Sequence, residues 1–441
     1  MQDTICAIST PYGSGGIAVI RVCGTDAIAI VDKLFCGRKP LREAHASTVH
    51  YGALVRHNDP IDDVLVSVFR APHSFTGEDT VEIACHGSLY IQQEILRALV
   101  DAGCRTAKAG EFTQRAFLNG KLDLSEAEAV ADLIAAKTKA SKDLALKQLR
   151  GGVSNELNEL RDRLLKLTSL IELELDFADH EELEFADRSE LRYIADTIDN
   201  KLTKLTESFR TGNAIRNGIS VAIVGATNAG KSTLLNALVG EERAIVSDID
   251  GTTRDTIEDS VVLDGILFRF IDTAGIRETK DTIEALGIER SRKAINEAMI
   301  IIEVIDATNP QPMPDLPQER LIKVWNKADI ITNQLINQST NQPISISAKL
   351  GDIEPLKEQL LRMAAIPDAE ETIISNARHY EALCRGLDAI HRVQQGMNND
   401  LSGELLSMDL QDCLQALGEV TGQITSQEVL NNIFKNFCIG K

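Results

Sequence analysis

The stretch Gly225-Ala226-Thr227-Asn228-Ala229-Gly230-Lys231-Ser232 sets two glycines, an ammonium and a hydroxyl at the spacing that encloses a chain of phosphates. Glycines let backbone N–H groups turn inward around phosphate oxygens, and a helix N-terminus behind them adds favourable potential. Lys231 suits β- and γ-phosphate oxygens, and the Ser232 hydroxyl suits Mg²⁺. The pattern needs a strand before it and a helix after it. Ile219 to Val224 reads as that strand, and Lys231 to Leu238 as the start of that helix.

Further elements follow in the order such a site requires. Asp272-Thr273-Ala274-Gly275 comes after an apolar strand, Leu267 to Ile271. Its aspartate can hold Mg²⁺ through water, and the Gly275 N–H can sense a γ-phosphate. Asn326-Lys327-Ala328-Asp329 follows the strand Leu321 to Trp325. Asp329 can accept from guanine N1–H and the 2-amino group. Adenine offers neither, so a buried carboxylate would be left unpaired, which favours GTP over ATP. Ser347-Ala348-Lys349 supplies the last base-contacting loop. Gly251-Thr252-Thr253-Arg254-Asp255 is a candidate switch, whose Thr253 hydroxyl can complete the Mg²⁺ shell while a γ-phosphate is present. Ras-type GTPases place a water-orienting glutamine just after the Asp-x-x-Gly motif. Here that position is Ile276, so another group must orient the water. Arg254 and Arg277 are near in sequence and read equally well as solvated residues.

Three textures organise the chain. Residues 1–118 hold short β-rich runs, Thr4 to Ile8, Ile17 to Val22, Val64 to Phe69 and Thr80 to Ala84, with one amphipathic helix from Ser88 to Ala102. Residues 119–215 read as long helices, with a stripe of Leu157, Leu160, Leu164, Leu167 and Ile171 and a capped start at Ser125-Glu126-Ala127-Glu128. Residues 216–374 alternate strand and helix, and their continuous apolar runs suit a parallel sheet buried on both faces. Helical texture returns over 375–441. The fold class is therefore multidomain, and its simplest arrangement is an α+β N-terminal domain, a helical-bundle domain in two parts, and an α/β phosphate-loop domain of Ras-like type inserted between them; four consecutive domains is the alternative.

At 441 residues the chain is too long for one core. No apolar run approaches the ~20 residues of a membrane span, and the N-terminus has no signal pattern. The eight cysteines show neither disulfide nor zinc spacing, which suits a reducing, cytoplasmic setting. A net charge of −20 weighs against broad nucleic-acid binding by this chain alone. Cys438, close to the last residue, reads as a thiol on a mobile tail that could enter an active site as nucleophile or acid.

The combination of Asn-Ala-Gly-Lys-Ser, Gly-Thr-Thr-Arg-Asp, Asp-Thr-Ala-Gly-Ile-Arg, Gly287-Ile288-Glu289-Arg290 and a final Cys-Ile-Gly-Lys resembles the MnmE (TrmE) family of tRNA modification GTPases. The likeness extends over the whole chain, through Pro72-His73-Ser74-Phe75-Thr76-Gly77-Glu78-Asp79 and the run from Gly110 to Leu124. The G-domain motifs are shared by many GTPases; the N-terminal motifs and the last four residues single out this family.

The resemblance implies a homodimer held by the N-terminal domains, with G domains that meet when GTP and K⁺ bind. It implies K⁺ in place of an arginine finger, with Asn228 as side-chain ligand and Ser247, Ile249 and Thr252 as backbone ligands. It makes Glu289 the water-positioning glutamate. The nucleotide contacts become Asn228, Ala229, Gly230, Lys231, Ser232 and Thr233; Ser247, Asp248, Ile249, Asp250, Gly251 and Thr252; Asp272, Thr273, Ala274 and Gly275; Asn326, Lys327, Ala328 and Asp329; and Ser347, Ala348 and Lys349. Mg²⁺ falls to Ser232 and Thr253. A 5-formyl-tetrahydrofolate or related folate falls to Arg21, Glu82, Lys121 and Lys441, and Cys438 gains a catalytic role. An MnmG-like FAD protein is the implied partner, and the wobble uridine of certain tRNAs the implied substrate. Two departures stand out: Ala226-Thr227 replaces the family's usual Arg-Pro, and Asp250 replaces a frequent alanine. Both leave the ligand set intact. On the residues alone, two other readings stay open. One is a ribosome-assembly switch GTPase without folate chemistry, disfavoured by the lack of clustered Lys and Arg. The other is a folate-dependent transferase acting on a small molecule.

Overall fold

The computed structural model describes residues 3–176, 188–241, 259–271, 294–313, 316–330, 343–364, 372–399, 401–435 and 437–440. The chain forms two compact units: 1–134 with 148–195 and 388–441, and 135–147 with 196–387.

The first unit is built on a seven-stranded sheet of β1 (Ile5–Ile8), β2 (Ile17–Cys23), β3 (Phe35–Gly37), β4 (Thr48–Arg56), β5 (Asp59–Phe69), β6 (Thr80–His86) and β7 (Arg105–Thr106), in the order β3-β4-β5-β6-β2-β1-β7. All neighbours are antiparallel except β7, which runs parallel to β1. The sequence reading anticipated four of these strands. It also started β5 too late, because the β4–β5 hairpin turns on His57 and Asn58, both left-handed, rather than on a glycine. Helices Ala27–Leu34 and Leu89–Asp101 cover one sheet face, burying Ile28, Val31, Ile95 and Leu99 over Ile20, Val66 and Ile83.

The expected helical stripe is present: Leu157, Leu160, Leu164, Leu167 and Ile171 are all buried along helix Gly152–Asp176. That helix packs against Gly403–Thr421, which buries Leu406, Leu410, Cys413, Leu417 and Val420. The cap of helix Leu124–Ala135 lies earlier than anticipated. Asp123 accepts from the Glu126 N–H at 2.9 Å, and Glu126 accepts from the Asp123 N–H at 2.9 Å. The reciprocal box is thus Asp123…Glu126, because Ser125 turns to the Ser154 hydroxyl instead.

Residues 437–440 are docked on the first unit rather than forming the free tail expected for them. Helix Gln427–Phe434 seats Leu430 and Phe434 against Leu124 and Ala127. Beyond it, Ile439 bridges Ala109, the Gly110 N–H donates to the Cys438 carbonyl at 3.3 Å, and the Ser9 hydroxyl donates to the Gly440 carbonyl at 3.1 Å. Gly110 permits this approach: its φ is +65°, and a Cβ there would come within 2.8 Å of the Phe434 carbonyl.

The second unit holds a six-stranded sheet of β8 (Ile219–Val224), β9 (Asp259–Leu263), β10 (Ile266–Phe270), β11 (Ile300–Asp306), β12 (Leu321–Asn326) and β13 (Ile344–Ser345), ordered β13-β12-β11-β8-β10-β9. Only the β9–β10 hairpin is antiparallel. The continuous apolar runs are explained by burial on both faces. Val221, Ile223, Ile302 and Val304 meet Leu234, Leu235, Leu356 and Leu360 on one side, and Ala222, Val224 and Ile301 meet Ala294, Ala298 and Leu316 on the other. Among the described residues no helix is long and apolar enough to cross a membrane.

Gly110→Ala would add both a strained left-handed alanine and a clash beneath the tail, at a cost of about 1–3 kcal/mol. Urea unfolding of the full chain measures this as a lower midpoint; an unchanged midpoint contradicts the tight seating of residues 438–440.

Candidate functional site

The phosphate loop begins where β8 ends. Gly225 adopts φ +147°, and a Cβ there would overlap the Val304 carbonyl. Asn228 sits at φ +66°, a left-handed position that asparagine tolerates, and is exposed. Gly230 has φ +99°, with its missing Cβ occupied by the Asn326 amide nitrogen. Helix Lys231–Glu241 follows at once, so its first N–H groups face the loop. Lys231 Nζ lies across the loop and donates to the carbonyls of Gly225 and Ala226 at 2.8 and 2.9 Å. Burial lowers its pKa from the ordinary lysine value. Ser232 is half-buried and Thr233 exposed on the first helical turn.

The base loops are joined to the phosphate loop by one side chain. Asn326, buried at the end of β12, donates through Nδ2 to the Ala229 carbonyl at 2.9 Å and accepts at Oδ1 from the Ala348 N–H at 3.1 Å. Ala229 and Ala348 are both buried. The Ser347 hydroxyl donates to Asp329 Oδ1 at 2.7 Å, and the Ala328 N–H donates to the Ile346 carbonyl at 3.1 Å. The Asp329 carboxylate is thereby aimed by a buried serine. Asp329 itself is exposed on the open rim of the loop, where a bound base would cover it. Lys349 is exposed beside it. Lys327 adopts φ +67° and pairs with Asp306 at 2.6 Å. Sequence reasoning missed Asp306, although an acidic residue closing an apolar strand beside the base loop was a visible signal.

Several expected residues lie outside the described ones: Ser247, Asp248, Ile249, Asp250, Gly251, Thr252, Thr253, Arg254, Asp272, Thr273, Ala274, Gly275, Ile276, Arg277, Glu289 and Lys441.

A second cluster occupies the first unit. Arg21 of β2 and Glu82 of β6 are cross-strand neighbours, and Glu82 Oε1 accepts from both Arg21 Nε at 2.9 Å and Nη2 at 2.8 Å. The guanidinium lies between two rings, 5.7 Å from Phe75 and 5.5 Å from Phe112. Its Nη1 reaches the Gly440 carbonyl at 3.5 Å, so the C-terminal tail borders this cluster. Cys438 is exposed there. Lys121 donates to the Pro72 carbonyl at 3.2 Å, on the loop that also carries Phe75. Beneath, Arg115 is buried and paired with Glu78 at 2.9 Å and with Asp3 at 2.9 Å. The Cys23 thiol donates to Glu78 at 3.3 Å, and burial pushes that thiol up to about 11. Arg115 and Glu78 explain why the Pro72–Asp79 and Gly110–Leu124 motifs occur together: each supplies one half of a buried ion pair. Neither motif by itself reveals that link.

Residues 124–438 match the family described as the MnmE helical domain, and residues 4–121 the one described as the GTP-binding protein TrmE N-terminus. The chain is 55% identical to a Parabacteroides distasonis protein named tRNA modification GTPase MnmE, over 100% of both chains. It is 51% identical to a Bacteroides fragilis protein of the same name, over 100% of both. A Porphyromonas gingivalis protein of that name is 52% identical, over 100% of this chain and 98% of the other. With two family matches that span nearly its whole length and relatives that align end to end, the chain belongs to the MnmE (TrmE) family of GTP-hydrolysing tRNA modification enzymes.

Proposed function

We propose that this chain hydrolyses GTP to GDP and phosphate and, with an MnmG-like FAD partner, modifies the 5 position of the wobble uridine of certain tRNAs. The one-carbon unit would come from 5-formyl-tetrahydrofolate or a related folate. The observation that carries the nucleotide reading is the Asn326 bridge, which assembles phosphate loop and base loops into one site. Bound phosphates would replace the Gly225 and Ala226 carbonyls as acceptors for Lys231. Asp329, aimed by Ser347, would accept from the guanine edge.

The residues suit the two cations. Ser232, with Thr253, would hold Mg²⁺; Asn228, with Ser247, Ile249 and Thr252, would hold K⁺. Bound there, the cations neutralise charge developing between β- and γ-phosphates. Glu289 would orient the attacking water, the task Ile276 cannot perform. The Asn228 side chain is exposed on a backbone turned left-handed, which supports this role.

Arg21, Glu82, Lys121 and Lys441 would bind the folate. The Arg21–Glu82 pair offers donors and an acceptor beside the exposed Phe75 ring, which suits a flat heterocycle. Cys438, held beside that cluster by the docked tail, would act as nucleophile or acid. The N-terminal domain would also make the homodimer. Val49, Tyr51 and Leu65, exposed at 62, 67 and 48% on adjoining strands, supply an apolar patch for it. The layout would be 1–118, 119–215, an inserted 216–374, and 375–441, in a cytoplasmic protein.

Two outcomes are expected. GTP hydrolysis runs at least about tenfold faster in K⁺ than in Na⁺, and Asn228→Ala removes the difference; equal rates in both salts for the unaltered chain rule out the cation assignment. Deletion of the gene leaves the wobble uridine of a subset of tRNAs without its 5-substituent, as read by nucleoside mass spectrometry. An unchanged nucleoside profile refutes the tRNA reading.

A further inference from the structure

Asp306 belongs to none of the nucleotide motifs, yet its carboxylate is fully engaged at the rim of the base site. Oδ2 accepts from Lys327 Nζ at 2.6 Å, while Oδ1 accepts from the Thr308 N–H at 2.9 Å and from the Thr308 hydroxyl at 2.6 Å. Asp306 closes β11 in register with Asn326, and the Ala307 N–H donates to the Asn326 carbonyl at 3.0 Å. The carboxylate therefore stands on a strand end rather than on a free loop, and Thr308 fixes its rotamer through a local turn. Desolvation pushes its pKa up, but the hydrogen bonds from Lys327 and Thr308 outweigh that and hold it at about 2, so it is ionised at any working pH.

Lys327 gains its definition from this contact. A lysine is a point charge on a flexible stem, and the stem goes where the ammonium is held. Among the described residues Asp306 is the carboxylate that holds it. Two residues on, Asp329 is held by Ser347. The loop Asn326–Asp329 is thus fixed at three successive points by three different strands or loops: Asn326 by Ala229 and Ala348, Lys327 by Asp306, and Asp329 by Ser347.

We propose that Asp306 is a positioning residue for guanine-nucleotide binding, acting through Lys327 to hold its stem as a wall of the base-and-ribose site. The proposal rests on the guanine-site reading above. Among the described residues the Asp306 carboxylate bonds to Lys327 and Thr308 and to no group of the phosphate loop, so its effect falls on nucleotide residence and not on the chemical step.

The test is the release of N-methylanthraniloyl-GDP from the full chain, followed by stopped flow, with steady-state GTP hydrolysis alongside. Asp306→Asn keeps the acceptor for Thr308 and removes the ion pair. It is expected to speed release about tenfold and to raise KM for GTP similarly, while kcat at saturation changes by less than about twofold. Lys327→Met, which alters a proposed nucleotide contact itself, should release the probe at least as fast, and the double variant should be no worse than Lys327→Met alone, because the two side chains act as a unit. Asp306→Glu should restore part of the residence time. Unchanged release in Asp306→Asn overturns the proposal, as does a double variant whose losses multiply to about a hundredfold. A fall in kcat and in the thermal midpoint that parallels the lost affinity assigns Asp306 a purely structural role and also overturns it. Failure of the unaltered chain to bind the GDP probe defeats the guanine-site reading itself, and this inference with it.

Discussion

The nucleotide site depends on the Asn326 carboxamide. A single amide group can donate on one side and accept on the other, and here it does both, to the Ala229 carbonyl and from the Ala348 N–H. Each partner is a buried backbone group that would otherwise be unpaired, which makes either bond costly to leave unmade. The same geometry dictates Gly230, since any Cβ would occupy the space of the Asn326 amide nitrogen. On the guanine-site reading, phosphate binding and base recognition would therefore be mechanically one device, seated on the C-terminal ends of β8 and β12. The parallel sheet makes this possible by placing those strand ends on one edge, with both faces buried so that the edge is rigid.

The first unit follows a comparable logic with charge in place of an amide. Arg115 and Glu78 are both buried, and the guanidinium, which also meets Asp3, supplies the charge that the Glu78 carboxylate needs there. Their pairing locks the loop that carries Phe75 to the helix that carries Phe112, and those two rings flank Arg21. Above them residues 438–440 complete the wall, the Gly110 N–H donating to the Cys438 carbonyl and the Ser9 hydroxyl to the Gly440 carbonyl. Asn119 adds a further tie, donating to the Thr76 carbonyl at 2.7 Å. The polar cluster around Arg21 is thus rigid because a buried ion pair lies under it, not because its own exposed contacts are strong.

Much of this was legible in the sequence. β8, β11 and β12 were recognisable from continuous apolar runs because burial on both faces leaves no polar alternation, and helix Gly152–Asp176 from its leucine spacing. The outer strands β3, β4 and β7 were not. β3 and β7 are short edge strands, and β4, although long, carries His50, Gly52 and Arg56 among its apolar residues. Asp123 was passed over as a cap because Ser125 offered the same chemistry two residues later. Local pattern reading also has no access to pairs such as Glu78–Arg115 or Lys327–Asp306, which lie far apart in the chain and meet only through the fold. Asp329 illustrates the converse: its chemistry was readable, but its exposure depends on the rim geometry of a loop. Cys438 was read as mobile because terminal residues usually fray, whereas Gly110 creates a seat for it that only the folded backbone reveals.

The central claim is that phosphate loop and base loops are one preassembled unit held by Asn326. Hydrogen–deuterium exchange on the nucleotide-free Asn326→Ala chain tests it most directly. The account predicts that peptides covering 225–230 and 346–350 lose protection together, while those of β8 and β11 keep theirs. Faster exchange confined to 346–350, with 225–230 unchanged, would show that the two loops are held independently and would contradict it.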